Sequence, residues 1–276
     1  MIKSNRHILK ITADLLANLL DMNLSMTGEV AAAYKSGSQR AGKVTEAWGA
    51  ENFYCPNCSS PKLDWLKPGT KANDYCCPSC GFWYQLKSQK TRIASSVTDG
   101  AYAAMMEAIR NNRSPNFFFL HYDLATWTVR NLLLVPYFAF PPSAIIKRKP
   151  LSATARRAGW VGCNFALNRI PADARISIVA EKQVASPETV REQFQKVKPF
   201  EEIPVEQRGW MLEVLNVVRQ LGKKEFTNQD VYAFEGHFRQ LHPNNHFIRD
   251  KIRQKLQDLA RAGFLVHAGR NDYRVV

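Results

Sequence analysis

Two cysteine pairs, Cys55-x2-Cys58 and Cys77-x2-Cys80, are the sharpest chemical signal in the chain. Each Cys-x2-Cys turn presents two thiolates to one side, and two such turns can surround a tetrahedral Zn²⁺. Eighteen residues separate Cys58 from Cys77, a spacing that suits a zinc ribbon spanning 55–80. Four thiolates leave no position for water, so this ion is expected to be structural. A redox or disulfide pair is the alternative, which a reducing compartment disfavours. Cys76 reads as a spare or buried thiol, and Cys163 as a packing residue.

A second set overlaps the first. Asp74 lies three residues before Cys77, and Gln85-Leu-Lys87 begins five residues after Cys80. Phe82–Lys87 alternates like a strand, which puts Gln85 and Lys87 on one face. Oxygens from Asp74 and Gln85 suit a hard cation such as Mg²⁺, and Lys87 is placed to orient an attacking water. Taken alone, this triplet is better described as the mixed polar face of a surface strand. A third set lies near the end of the chain. There His246, Arg249, Asp250, Arg253 and Gln254 stand opposite an apolar stripe of Ile248, Ile252, Leu256 and Leu259. These are the residue types that read base edges and phosphates from a helix in a major groove, with Arg270 beyond them. A protein-binding helix is the competing reading.

The elements that must position these sets follow from periodicity. Residues 1–24 read as an amphipathic arm through Ile8, Ile11, Leu15, Leu16 and Leu19, and a second helical pattern runs from Thr27 to Trp48. Phe117–Leu120, Val129–Val135 and Arg175–Ala180 read as strands, and Asp99–Arg110 as a helix. This order predicts an α/β or α+β core over 25–198. Lys198–Pro204, two prolines flanking acidic residues, is the expected linker. Beyond it, three helices and a hairpin around Gly269–Asp272 predict a winged helix-turn-helix over 205–276. Thr227 is expected to cap its second helix, which runs to Leu241, and Asn244 or Asn245 its third.

The 276 residues carry 38 Lys and Arg against 24 Asp and Glu, a formal charge of +14. Such an excess favours nucleic acid first and an anionic membrane surface second, with simple solubility as the bland alternative. Seven basic residues and a single acid, Asp173, fall between Lys147 and Arg175, which reads as a contact surface. No apolar run approaches the ~20 residues needed to span a bilayer, and no signal peptide is read at the N-terminus. A soluble intracellular protein is expected.

From about Leu24 to Val276 the chain resembles the DpnI-type methyl-directed restriction endonucleases. The resemblance rests on Tyr34-Lys-Ser-x-Ser-Gln39, Thr45-Glu-x-Trp48, Tyr54-Cys-Pro-Asn-Cys58, Asp99-Gly-Ala-Tyr102 and Asn116-Phe-Phe-Phe-Leu120. It continues through Arg148-Lys-Pro-Leu151, Thr154–Trp160, Gly162-Cys-Asn164, Arg208-Gly-Trp210 and Lys251-Ile-Arg-Gln254. It implies a PD-(D/E)xK restriction-endonuclease-like core with an embedded four-cysteine zinc ribbon, followed by a winged helix. The implied activity is cleavage of double-stranded DNA at GATC carrying N6-methyladenine, by a monomer in a bacterial or archaeal cytoplasm. It further implies a catalytic centre of Asp74, Gln85 and Lys87, with the Leu86 carbonyl as a further ligand for Mg²⁺ or Mn²⁺. Arg148, Arg156, Arg157 and Trp160 would belong to a recognition segment, with Trp160 lining a methyl pocket.

Gln85 departs from the family's glutamate. The loss of a negative charge predicts weaker Mg²⁺ binding, a higher Mg²⁺ requirement or dependence on Mn²⁺, with Glu46 able to compensate through water. Two functions share nearly all of these motifs: a methylation-dependent type II endonuclease, and a catalytically impaired methyl-adenine DNA-binding protein.

Overall fold

The computed structural model describes residues 22–31, 34, 36–67 and 73–276. The expected N-terminal arm therefore falls, over residues 1–21, outside the described residues. The chain divides into two compact units. One takes the described residues up to 92 together with 118–133 and 177–192. The other takes 93–117, 134–176 and 193–276.

In the first unit, helix α1 (Gly37–Asn52) precedes a ribbon of β1 (Asp64–Trp65), β2 (Tyr75–Cys76) and β3 (Trp83–Gln89). The helix starts ten residues later than the Thr27 pattern suggests. Gly28–Ala31 forms only a 3-10 turn, and Ser36 takes an extended N-cap conformation before the helix begins. The ribbon is one side of a seven-stranded sheet. Its other strands are β5 (Asn116–Asp123), β6 (Thr128–Val135), β9 (Ile176–Ala180) and β10 (Gln183–Val184), in the order β1-β2-β3-β5-β6-β9-β10. Phe118 on β5 stacks on Phe53, with centroids 4.2 Å apart, and on Tyr84. The underside of α1, formed by Val44, Thr45, Trp48 and Gly49, is buried. Trp48 Nε1 donates to the Asn23 carbonyl, and the Tyr75 hydroxyl donates to the Glu46 carbonyl at 2.7 Å. These contacts fix the turn of α1 that carries Glu46.

The second unit begins with β4 (Ser96–Ala101), which runs directly into helix α2 (Tyr102–Arg110). With β7 (Ile145–Lys147) and β8 (Gly162–Ala166), β4 forms an antiparallel sheet ordered β4-β8-β7. The helix expected over Asp99–Arg110 is therefore shorter. The backbone of Asp99–Ala101 pairs with β8, and this tertiary pairing overrides local helix preference. Val97, Phe165 and Ile145 are aligned across the three strands and all buried.

Helix α3 (Pro187–Val197) leads to Lys198–Glu202, which is a 3-10 turn where the prolines suggest a linker. Its Phe200 is fully buried and stacks on Phe264, and buried Arg208 donates to the Phe200 carbonyl and to Asn112 Oδ1. An aromatic side chain between the prolines anchors the segment, so it is packed and not free. Then follow α4 (Val205–Gln220), β11 (Glu225–Thr227), α5 (Asn228–Tyr232), α6 (Glu235–Leu241), α7 (Ile248–Arg261), β12 (Leu265–Gly269) and β13 (Asp272–Val275). The last three strands pair in the order β11-β13-β12.

Thr227 does cap α5, in a reciprocal capping box with Asp230. The single helix expected from there to Leu241 is broken at Ala233–Phe234 into α5 and α6. Neither Asn244 nor Asn245 is the cap of α7. Phe247 occupies that position, and Asn245 Oδ1 instead accepts the Phe247 N–H.

A Cβ at Gly49 would collide with the Tyr75 hydroxyl and lie 2.7 Å from the Phe53 ring. Gly49→Ala is therefore expected to destabilise the protein by about 1–3 kcal/mol, measured as a lower denaturant midpoint. An unchanged midpoint would mean that the α1–β2 contact tolerates an added methyl.

Candidate active site and metal cluster

The two knuckles converge. Sγ of Cys55 is 3.6 Å from that of Cys80, Sγ of Cys58 is 3.6 Å from that of Cys77, and all four lie within 4.8 Å of one another. Tetrahedral Zn–S bonds of about 2.3 Å place sulfurs about 3.8 Å apart, so the donor set fits a zinc ion. Burial pushes the Cys55 thiol up, whereas at Cys77 the backbone N–H groups of Cys80 and Ser79 outweigh burial and bring the thiol down to about 7. The second Cys-x2-Cys turn is also the hairpin turn between β2 and β3. Cys77 N–H bonds the Phe82 carbonyl, and Gly81 at φ 73° accepts the left-handed bend.

Arg191 supports the first knuckle. Its Nε donates to the carbonyls of Cys58 at 2.9 Å and Cys55 at 3.2 Å, a terminal nitrogen reaches the Ser60 carbonyl, and the guanidinium lies over the Tyr54 ring. No local motif reveals this residue, because more than 130 residues separate it from the cysteines. Cys76 is half-buried on β2. Cys163 is buried on β8, with its thiol 3.5 Å from the Gly100 carbonyl.

The hairpin also places the second set. Tyr75 pairs with Tyr84 and Cys76 with Trp83. Asp74 lies just before β2, outside this pairing, and its backbone departs from the regular ladder. Asp74 N–H bonds the Tyr84 carbonyl, and Asp74 Oδ2 accepts the Leu86 N–H at 2.7 Å. The N–H and C=O of a strand residue leave toward the same neighbour, so the Leu86 carbonyl faces Asp74's edge. Lys87 follows two residues after Gln85 and shares its face.

Burial pushes the Asp74 carboxyl above the ordinary range. The Leu86 N–H pulls it back, the charge of Glu46 adds to the rise, and Lys87 and Lys43 oppose it. Glu46 is thus close enough to act on Asp74, and Lys43 bonds Glu46 at 2.6 Å. Its hydrogen bond to Glu46 raises the Lys43 pKa. Lys43 is a site neighbour that the motif reading missed, although its three-residue spacing from Glu46 on a helix was visible.

The basic segment before β8 gathers three of its expected residues. The Arg157 guanidinium lies 4.6 Å from the Trp160 ring centre. A Cβ at Gly162 would stand 2.9 Å from that ring and 3.5 Å from Arg148 Cδ. Gly162 therefore lets half-buried Trp160 lie close against the start of β8. Arg156 is exposed beside them.

His246 before α7, Arg249, Arg253 and Gln254 on it, and Arg270 in the β12–β13 turn are all exposed. Arg249 is held by Glu235 at 2.6 Å and lies over the Tyr232 ring, and Arg253 reaches Asp250 at 3.4 Å. Exposed pairs of this kind are worth at most about 1 kcal/mol, so they open readily for a phosphate. No helix among the described residues is long and apolar enough to cross a membrane.

A mixed α/β core with a four-cysteine cluster, followed by a helix-turn-helix domain, defines the class of architecture. Residues 22–203 match the DpnI model, described as the Dam-replacing family, and residues 206–275 match its Dam-replacing HTH domain. The chain belongs to this family of methyl-directed restriction endonucleases.

The purified protein is expected to carry one zinc per chain. Cys77→Ser should release it and lower the thermal midpoint by roughly 10 °C. Metal analysis with a thermal melt checks both, and a metal-free protein of the same stability would contradict the assignment.

Proposed function

We propose that the protein is a type II endodeoxyribonuclease of PD-(D/E)xK architecture that cleaves double-stranded DNA at GATC containing N6-methyladenine. The observation that carries this reading is the hydrogen bond from the Leu86 N–H to Asp74 Oδ2, which holds the Asp74 carboxylate at the edge of β3, at the residue that lies between Gln85 and Lys87 in sequence. Asp74 Oδ1, the Gln85 amide oxygen and the Leu86 carbonyl are the oxygens that would hold Mg²⁺ or Mn²⁺. The cation, when bound, would supply Lewis-acid stabilisation of charge on the scissile phosphate.

Oδ2 of Asp74 is already occupied by the Leu86 N–H, which fixes the rotation of the carboxylate toward the strand edge. The Lys87 ammonium orients the water for in-line attack and offsets charge growing on the phosphate. Hydrolysis then leaves a 5′-phosphate and a 3′-hydroxyl. Glu46 adds negative charge beside Asp74, which partly replaces the charge that a glutamate at position 85 would bring.

In this reading residues 25–198 form the endonuclease domain and 205–276 a winged-helix DNA-binding domain. In the same reading the protein is a monomer that acts on cellular DNA in a bacterial or archaeal cytoplasm. Trp160 offers the adenine methyl an apolar wall, and Arg148, Arg156 and Arg157 hold phosphates around it. Burying one methyl is worth on the order of 1 kcal/mol, so a second reader is needed for strong discrimination. Arg249, Arg253 and Gln254 on α7, with His246 before it and Arg270 in the wing, are suited to that task. Gln85 favours one competing reading, a methyl-DNA-binding protein with an impaired centre.

Digestion of methylated and unmethylated plasmid across Mg²⁺ and Mn²⁺ titrations separates the two readings. Cleavage of methylated DNA alone is expected. Gln85→Glu should lower the Mg²⁺ concentration required, and Asp74→Ala should reduce the rate about 100-fold or more. Methyl-selective binding without cutting in either metal would leave the binding protein as the function.

A further inference from the structure

The apolar residues of α7 divide sharply by position. Ile248, Ile252, Leu256 and Leu259 are buried, whereas Phe247, immediately before the helix, is 73% exposed. Leaving a phenylalanine in water forfeits about 1.5–3 kcal/mol of burial. This ring is not a frayed end. Its N–H is held by Asn245 Oδ1 at 2.8 Å, and its carbonyl accepts the Lys251 N–H at 3.0 Å as the first turn of α7 closes. At helical spacing Phe247 opens the outward arc that continues through Asp250, Arg253 and Gln254. The Asn244–His246 turn and Arg249 flank it, and all but half-buried Asn245 are exposed. A solvent-facing ring among cations on the helix of a DNA-binding module suits a polyanion whose groove contains apolar groups. Arg249, Arg253 and Arg270 are all exposed in this module, a cationic surrounding that suits an anionic backbone better than a neutral protein surface.

We propose that Phe247 is a specificity-determining residue that contacts a methyl group in the major groove of the bound duplex. This rests on the proposed function and deepens it by naming the apolar reader in the C-terminal module. Two methyls project there from a methylated GATC site: the N6-methyl of adenine and the C5-methyl of thymine. Both present the same chemistry, a small apolar group beside hydrogen-bonding edges. The phenyl ring supplies contact area at low entropic cost, while the neighbouring cations hold the backbone.

The test is equilibrium binding of the full-length protein, in Ca²⁺ to prevent cutting, to short duplexes followed by fluorescence anisotropy. Four duplexes are used: GATC with and without N6-methylation on both strands, each with thymine or with deoxyuridine at the central T. The wild type is expected to prefer the methylated thymine duplex. Phe247→Ala should shrink one of the two methyl preferences about fivefold, the equivalent of one buried methyl group. It should change binding to the unmethylated deoxyuridine duplex little, and Phe247→Leu should restore part of the preference. Which preference shrinks identifies the methyl that is read. If Phe247→Ala keeps both wild-type ratios, Phe247 is not a reader, although the nuclease reading stands. If the wild type itself ignores N6-methylation, the functional reading fails separately, and Phe247 stands only if its loss reduces the thymine preference.

Discussion

The Cys77-x2-Cys80 turn does two jobs, and the rest of the site depends on both. It supplies two of the four thiols in the metal cluster, and it is the turn that joins β2 to β3. Two strands of such different length, two residues against seven, hold their register weakly through backbone bonds alone. A slip of one residue would carry the Leu86 N–H away from the Asp74 carboxylate that accepts it. A cluster tied at the turn and braced by Arg191 through the first knuckle forbids that slip. In the proposed function the ribbon would be the clamp that holds the cation site together, and not an appendage to it.

The electrostatics of the site follow from this placement. Burial and the charge of Glu46 both push the Asp74 carboxyl upward, and a cation at its oxygens would favour the ionised form. Lys43 and Lys87 offset part of that push. In the proposed site Gln85 would offer an oxygen but no charge. The burden therefore falls on Asp74 and Glu46, and Glu46 is held in position by the Tyr75 hydroxyl bond to its carbonyl. The same packing explains why Gly49 cannot carry a side chain.

Much of the site was legible because hairpins and knuckles are local. The four cysteines and the Asp74, Gln85 and Lys87 set lie within 33 residues, and alternation along one strand assigns the shared face. The Phe117–Leu120 run was equally readable as a strand buried on both faces. What the sequence hid depends on contacts between distant segments. Arg191 reaches carbonyls that no spacing rule connects to it. Asp99–Ala101 is drawn into a strand by pairing with β8. Phe200 converts an apparent linker into a packed turn by stacking on Phe264. Phe247 escaped notice for another reason: its position in the sequence looks like the start of a buried stripe, and only its exposure separates it from Ile248.

Residue-resolved amide hydrogen exchange tests the clamp most directly. The Leu86 N–H is bonded to the Asp74 carboxylate and not to a neighbouring strand's carbonyl, so its protection reports the Asp74–β3 alignment. In the metal-loaded protein this amide should exchange slowly. After the cluster is stripped by a chelator, the Leu86 and Asp74 amides should exchange rapidly while those of Phe118 and Phe119 on β5 remain protected. Unchanged protection of Leu86 in the stripped protein would show that the register needs no clamp, and would contradict the account.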